Sequence, residues 1–486
     1  MKKLEELLAA TAVKGEVGNT DIRITGLGFD SRAVEDGMLF FALVGTQSDG
    51  HDYIEAAIEA GASAVVCQRM PQTLHENVAY VEVEDSTAAM ADIAAEFYNH
   101  PSEKLRLVGI TGTNGKTTTA TLLYNLFRTL GYKVGLISTV IYAVHDKTEP
   151  STHTTPDTIR LNRMMAEMAD AGCEYCFMEV SSHSIVQQRI RGLHFAGAVF
   201  SNITLDHLDY HKTFAEYIKA KKGLFDSLTP DAFAVINIDD KNGRVMVQNC
   251  RARVRTLSLR SMADYRLKIV EMLPEGMQLS IDGTEVWVGF TGRFNAYNLL
   301  SVYAVARELG ADKQQTLTAL STLPAVDGRF QTLQSQSGIT AIVDYAHTPD
   351  ALQNVIDTIN EIRRPQQKLF IVVGCGGDRD ASKRPVMGRI AAAGGDMAVL
   401  TSDNPRTENP ETILEQVCAE LTPADKYIKV TDRAQAIRTA VMMAGSGDII
   451  LVAGKGHETY QIIGTEKHHF DDRQQIAECF AAKDGK

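Results

Sequence analysis

Leu105-Arg-Leu-Val-Gly-Ile-Thr-Gly-Thr-Asn-Gly-Lys-Thr-Thr118 runs from a short apolar strand through a glycine-rich turn into a helix. Such a turn points backbone N–H groups at an anion, and the helix N-terminus adds partial positive charge. A lysine and a hydroxyl complete a nucleotide–Mg²⁺ site, and Lys116 and Thr117 hold those places. The usual spacing of this loop would put glycine at Ile110, whereas the glycines here are Gly109, Gly112 and Gly115. The loop is therefore a variant. The helical pattern that follows, Ala120, Leu123, Phe127 and Leu130, ends at Gly131 as a C-cap, which supplies the strand–turn–helix context.

Working outward, 486 residues are too many for one core and suggest about three domains. Residues 105–325 alternate strand and helix, with strands at Lys133–Ser138, Tyr175–Val180, Ala196–Ser201 and Ala232–Ile238. Residues 326–486 repeat the pattern, with strands at Ile339–Asp344, Lys368–Gly374, Met397–Thr401 and Asp448–Ala453 and helices at Thr348–Ile362 and Ala434–Met443. Residues 1–104 form a smaller alternating unit that begins with an amphipathic helix and is bounded by His100–Lys104. It holds a strand at Gly37–Leu43, a helix at Tyr53–Ala60 and a strand at Ala64–Cys67. The fold class is α/β in three domains, the central one a doubly wound, mostly parallel sheet with a phosphate loop and the last one Rossmann-like. Ligands of such sheets lie beyond the carboxyl ends of the strands.

Composition excludes several classes. A net charge of −12 argues against a nucleic-acid binder, which needs a cationic surface. Seven cysteines without repeated spacing fit reduced thiols in the cytoplasm, and Cys173 with Cys176 reads as core packing. The N-terminus does not read as a signal peptide, and no apolar run is long enough to span a bilayer.

Polar residues collect at strand ends. Glu179 ends an apolar strand, where a carboxylate is costly to desolvate unless a cation such as nucleotide-bound Mg²⁺ meets it. Asp206-His-Leu-Asp-Tyr-His211 follows the next strand; a metal or acid–base role and a plain polar loop explain it about equally well. Asp344-Tyr-Ala-His-Thr-Pro-Asp350, Gly374-Cys-Gly-Gly-Asp-Arg-Asp380, Thr401-Ser-Asp-Asn-Pro-Arg406 and Ala453-Gly-Lys-Gly-His-Glu458 end four strands of the last unit. Arg384 and Arg406 suit bidentate capture of carboxylates. Asp30-Ser31-Arg32 by itself reads as a turn.

Together, Gly112–Thr118, Glu179–His183, Asn202 with Asp206–His211, Ala220-Lys221, Asp344–Asp350 and Asp403–Arg406 resemble the muramyl ligases of peptidoglycan synthesis, relatives of folylpolyglutamate synthase. The resemblance covers nearly the whole chain. It implies an ATP-dependent ligase that forms an acyl phosphate, with Lys116, Glu179, His207 and Lys221 as catalytic residues. Gly112, Thr113, Asn114, Gly115, Lys116, Thr117, Thr118, Asn298, Arg329 and Asp344 would bind ATP. Two Mg²⁺ ions would be held by Thr117, Glu179, His207 and Lys221, the lysine carbamylated by CO₂.

The resemblance assigns Ser31, Thr46, Gln47 and Ser48 to a uridine nucleotide, and Thr154, Thr155, Ser181, Gln187 and Arg189 to a muramoyl dipeptide. His153 stands where relatives carry Asn. Asp403-Asn404-Pro405-Arg406 is the pattern of members that add meso-diaminopimelate to UDP-N-acetylmuramoyl-L-alanyl-D-glutamate; lysine-adding members lack the Arg. Arg384 with Arg406 would pair with the distal carboxylate, and Gly454 and Glu458 would face the amino group at the same centre. The alternatives are a lysine-adding or folylpolyglutamate-type ligase and, in another class, a nucleotide-driven switch ATPase. Only small-molecule partners, a monomer and a cytoplasmic location are expected.

Overall fold

The computed structural model describes residues 1–45 and 48–485. Its largest sheet has eleven strands around a parallel centre of Val134–Ile137, Tyr175–Glu179, Arg106–Thr111, Gly197–Phe200, Phe233–Asn237 and Arg253–Ser258. Glu179 is level with Ile110, and Phe200 with Thr111. Three strands therefore end together beside the phosphate loop.

Except for the outermost, Arg253–Ser258, these strands are near-continuous apolar runs because both faces are covered. Helices Lys116–Thr129 and Arg293–Glu308 pack on one face, and Thr158–Asp170 and Phe214–Asp226 on the other. Phe127 is buried against the rings of Tyr175 and Phe177 at 4.5 and 5.1 Å. Burying such a side chain contributes about 1.5–3 kcal/mol, which anchors the helix whose first turn carries Lys116 and Thr117.

A six-stranded sheet occupies the C-terminal third, in the order Gln331–Gln334, Thr340–Asp344, Ile449–Ala453, Leu369–Cys375, Met397–Ser402 and Tyr427–Lys429. It is parallel except for the first pair. Insertion of the chain's last parallel strand, Ile449–Ala453, between Thr340–Asp344 and Leu369–Cys375 gathers the ends Asp344, Ala453, Cys375 and Ser402 along one rim. A five-stranded sheet lies near the N-terminus, from Val13–Val17 to Leu27–Gly28, again parallel but for one edge.

The parallel strands expected from sequence fall within a residue or two of their expected positions, whereas Ala79–Val83, Arg253–Ser258 and Tyr427–Lys429, also parallel, were not expected. Other elements differ. The N-terminal helix is only Leu4–Leu8, because Lys2–Lys3 pairs with Arg23–Ile24. The expected strand Gly37–Leu43 is only Leu39–Phe41, and the expected helix at Tyr53–Ala60 is Ile54–Glu59 behind a single 3₁₀ turn. The central sheet also continues as antiparallel ribbons at both edges, Ile141–Val144 with Lys147–Pro150 and Tyr265–Leu273 through Thr284–Val288.

Candidate active site

A cavity of about 620 Å³ lies between the carboxyl ends of the central sheet and the start of the C-terminal sheet. Its floor is the phosphate loop. Gly115 has φ +87°, and a Cβ there would lie 2.4 Å from Asn298 Oδ1, so the turn admits no side chain. The helix starting at Lys116 has no side-chain cap, which leaves its first N–H groups directed at the cavity. Lys116 Nζ folds back onto the carbonyls of Gly112 and Thr113 at 2.9 and 2.8 Å. Burial lowers its pKa, and Glu179 and Asp206 oppose that shift.

Beside the loop, Thr117 Oγ1 donates to Glu179 Oε2 at 3.0 Å, and the Thr139 N–H donates to Oε1 at 2.6 Å. Glu179 is fully buried and has no salt bridge among the described residues. A buried carboxylate without a cation is a costly arrangement that a bound divalent ion would relieve. His207 lies on the same wall with φ +54°, its Nε2 3.4 Å from Asp206 Oδ2. Desolvation, together with the cations of Lys116 and Lys221, takes its pKa down to about 4 despite Asp206, so the ring is neutral at pH 7 and can donate an electron pair. No group of three His, Cys, Asp or Glu among the described residues could hold a metal unaided. The Glu179 carboxylate and the Thr117 hydroxyl nevertheless suit Mg²⁺, which binds to one or two protein oxygens and takes its other ligands from phosphate and water.

Lys221 lies behind the loop. It is 1% exposed, donates to the Gly112 carbonyl at 2.8 Å, and sits 4.7 Å from the centre of the Tyr217 ring. Burial, and then Lys116, hold its pKa well below that of a free lysine. From the C-terminal side, Arg329 Nη2 donates to Thr117 Oγ1 at 3.0 Å, its guanidinium lies over Tyr345, and its buried Nε has no partner among the described residues. Asp344 accepts from the N–H groups of Phe330 and Ala346, and burial raises its pKa. Asn114 Nδ2 donates to Asp350 Oδ2 at 2.9 Å, joining the loop to the opposite wall.

Thr113, Asn114, Lys116, Thr117, Thr118, Thr154, Glu179, His207, Asn298, Arg329 and Asp344 thus share one cavity. Thr155, Gln187 and Arg189 adjoin it as a chain. Arg189 donates to Gln187 Oε1 and the Thr155 carbonyl, both at 2.6 Å, and Thr155 Oγ1 donates to the Glu179 carbonyl. Ser181 caps the helix Ser182–Val186. His153 is exposed, its backbone tied to Tyr142 OH. Ser31 and Ser48 lie away from the cavity on the N-terminal unit, and Thr46 and Gln47 lie outside the described residues.

A second polar cluster stands on the C-terminal rim. Asp403, Asn404 and Glu458 surround the ammonium of Lys455, a residue the sequence reading did not single out. Gly454 N–H donates to the Asp344 carbonyl, which ties this cluster to the cavity. Arg406 Nη1 donates to the Gly377 carbonyl at 2.7 Å.

Arg384 requires a correction. It is 1% exposed, and its guanidinium is committed to Glu408, Gln416 and the Gly376 carbonyl, so it braces the loop and cannot receive a ligand carboxylate. The exposed guanidinium on the same loop is Arg379. A Cβ placed on Gly376 would lie 3.0 Å from Arg406 Nη1 and 3.8 Å from Arg379 Cγ, so the two arginines flank one point. Its position in Gly374–Asp380 was the only signal in the sequence.

Comparison with known proteins places the whole chain. The profile described as "Mur ligase family, catalytic domain" matches residues 23–98, "Mur ligase middle domain" matches 110–306, and "Mur ligase, glutamate ligase domain" matches 328–456. The UDP-N-acetylmuramoyl-L-alanyl-D-glutamate–2,6-diaminopimelate ligase of Phocaeicola vulgatus is 53% identical over 481 residues, covering 99% of both chains. The protein of the same description from Cytophaga hutchinsonii is 54% identical, covering 98% of both. A solved structure of a ligase of that description superposes with a TM-score of 0.70 at 31% identity, over 99% of each chain. With identity of this degree running from end to end, the chain belongs to the Mur ligase family.

Proposed function

We propose that the protein is an ATP-dependent amide-forming ligase that adds meso-diaminopimelate to UDP-N-acetylmuramoyl-L-alanyl-D-glutamate in peptidoglycan precursor synthesis. The observation that carries the reading is the fully buried Glu179 and its Thr117 partner beside an open helix N-terminus, facing Arg329 across one cavity. Full-length likeness to 2,6-diaminopimelate ligases supports the choice of substrates. The three larger sheets, of five, eleven and six strands, support division into nucleotide-substrate, ATP and amino-acid units at 1–104, 105–325 and 326–486.

In this reading the phosphate loop and Lys116 hold the phosphates of ATP, and Arg329, released from Thr117, turns its donors toward them. Asn298 and Asp344 complete the ATP site. Thr155, Gln187 and Arg189, with Thr154 and Ser181, orient the dipeptide so that its carboxylate oxygen attacks the γ-phosphorus and ADP departs. The amine nitrogen then attacks the acyl carbon, loses a proton and displaces phosphate. Thr117, Glu179 and His207 would hold Mg²⁺, which supplies neutralisation of phosphate charge. The depressed pKa of Lys221 favours the neutral amine, the form that adds CO₂, and the addition would give a carbamate anion and a proton and place an oxygen ligand behind the loop.

Arg406, with Arg379 in the place first given to Arg384, would pair with the distal carboxylate of diaminopimelate. Lysine lacks that carboxylate and would leave the arginines unpaired, so strong rejection is expected. The test is ADP release with the UDP-muramoyl dipeptide and either meso-diaminopimelate or lysine. Turnover should require the dipeptide and diaminopimelate; preference for lysine would overturn the specificity, and hydrolysis without any amine would favour a switch ATPase.

A further inference from the structure

Lys455 is the least exposed charged group of the amino-acid unit's rim cluster, at 0%. Its ammonium lies 3.0 Å from Asn404 Oδ1, 3.2 Å from Glu458 Oε2 and 3.4 Å from Asp403 Oδ1. Its direction is fixed by the strand end before it: Gly454 has φ +114°, and a Cβ there would lie 2.9 Å from Asp403 Oδ2. Asn404 completes the frame, donating from Nδ2 to Glu458 Oε2 and accepting the Ile462 N–H at Oδ1.

One oxygen of each carboxylate is thus engaged. The other two, Asp403 Oδ2 and Glu458 Oε1, take no hydrogen bond among the described residues. Two carboxylates and one ammonium leave one net negative charge and two acceptors, which suits one further ammonium. An amine about to attack a carbonyl must be unprotonated, whereas an ammonium between two carboxylates is held protonated. The array therefore suits the amino group of a diamino acid that does not react.

We propose that Lys455 is a positioning residue for the amino-acid substrate, holding Glu458, Asn404 and Asp403 in one array and offsetting one carboxylate so that the array binds the non-reacting ammonium. This rests on the ligase reading above. Burial and Asp403 push the Glu458 pKa up, and Lys455 and Asn404 pull it down. The other charged or titratable groups facing it are Arg433, already paired with Asp472, and the Tyr345 and Tyr460 hydroxyls; His457 stands behind Lys455 with a pKa of about 3 and is neutral. Without Lys455 the Glu458 carboxyl rises further, and the array loses its charge at a higher pH.

The experiment compares Lys455→Met, Lys455→Gln, Glu458→Gln and the double variant Lys455→Met/Glu458→Gln in full-length enzyme. Lys455→Met should raise KM for diaminopimelate about tenfold or more, the loss expected for a charge-assisted contact, with KM for ATP and for the UDP-dipeptide changed less than twofold. The acidic limb of kcat/KM for the amine should move to higher pH. The double variant should be little worse than Glu458→Gln, because Lys455 acts through that carboxylate. Equal rises in all three KM values, additive effects in the double variant, an unmoved acidic limb, or failure of both lysine variants to fold would each overturn the proposal. Wild-type enzyme inactive with diaminopimelate would instead overturn the ligase reading, and the Lys455 comparison would then be made by calorimetric binding of diaminopimelate itself.

Discussion

Both terminal nitrogens of Arg384 lie 2.8 Å from a carboxylate oxygen of Glu408, a fork-to-fork pair beneath the Gly374–Asp380 loop. The arginine, with the Asp378 N–H, holds the Glu408 pKa down to about 2. A carboxyl depressed on folding contributes stability that is complete above its unfolded pKa and is lost as pH falls through its folded one. Glu408→Gln should therefore lower Tm at pH 7, and the difference from wild type should shrink from about pH 4.5 down to about pH 2, read by thermal unfolding across that range.

Arg384 and the two loop arginines should separate cleanly. Arg384→Ala strands a carboxylate and should lower Tm. Arg379→Ala and Arg406→Ala should leave Tm nearly unchanged while raising KM for diaminopimelate about tenfold or more, as expected for loss of a charged partner. An unchanged KM in both would make them ordinary surface charge.

Glu179→Gln keeps an acceptor for the Thr139 N–H and removes a buried charge, so Tm should not fall. Turnover should drop about 100-fold or more, the scale of several kcal/mol supplied by metal-assisted charge stabilisation. Loss of Tm in step with activity would place Glu179 in the scaffold instead.

Lys221→Ala should be inactive if a carbamate is required, and a short carboxylic acid that enters the vacated space should restore part of the rate. Mass spectrometry of the intact protein under ¹³CO₂ after chemical trapping gives an independent readout. Inactivity with neither rescue nor label would leave Lys221 as a hydrogen-bond donor to Gly112.

Gly115→Ala meets both a left-handed backbone and Asn298 Oδ1 at 2.4 Å. The strained conformation should cost about 1–3 kcal/mol. Because the strain falls in the phosphate loop, nucleotide affinity should fall with it, measurable by calorimetry beside Tm.

Much of this architecture is legible in sequence because parallel strands buried on both faces must be continuous apolar runs. Val134–Ile137, Phe233–Asn237 and Ile449–Ala453 carry no competing signal. The ribbon Tyr265–Leu273 is harder to see, since exposed and half-buried residues mix along it and a bulge interrupts its register between Ile269 and Glu271. At the cavity, Lys116, Thr117 and Glu179 are readable because each ends or follows a strand whose end is fixed. Arg384 was misread because charge alone does not reveal a partner: Glu408 lies 24 residues away and reaches it only after two strand–helix units fold. Lys455 was overlooked between two glycines, and only the converging loops of Asp403 and Glu458 give its amine a purpose.

The bond from Asn114 to Asp350 spans 236 residues of sequence. The same carboxylate oxygen also receives the Thr204 hydroxyl, so two loops of the central sheet's unit rest on one atom of the C-terminal helix Pro349–Ile362. An activated acyl group survives only if water arrives later than the amine. A shared acceptor at the seam would let the phosphate loop and the helix Pro349–Ile362, which line one cavity, keep common time.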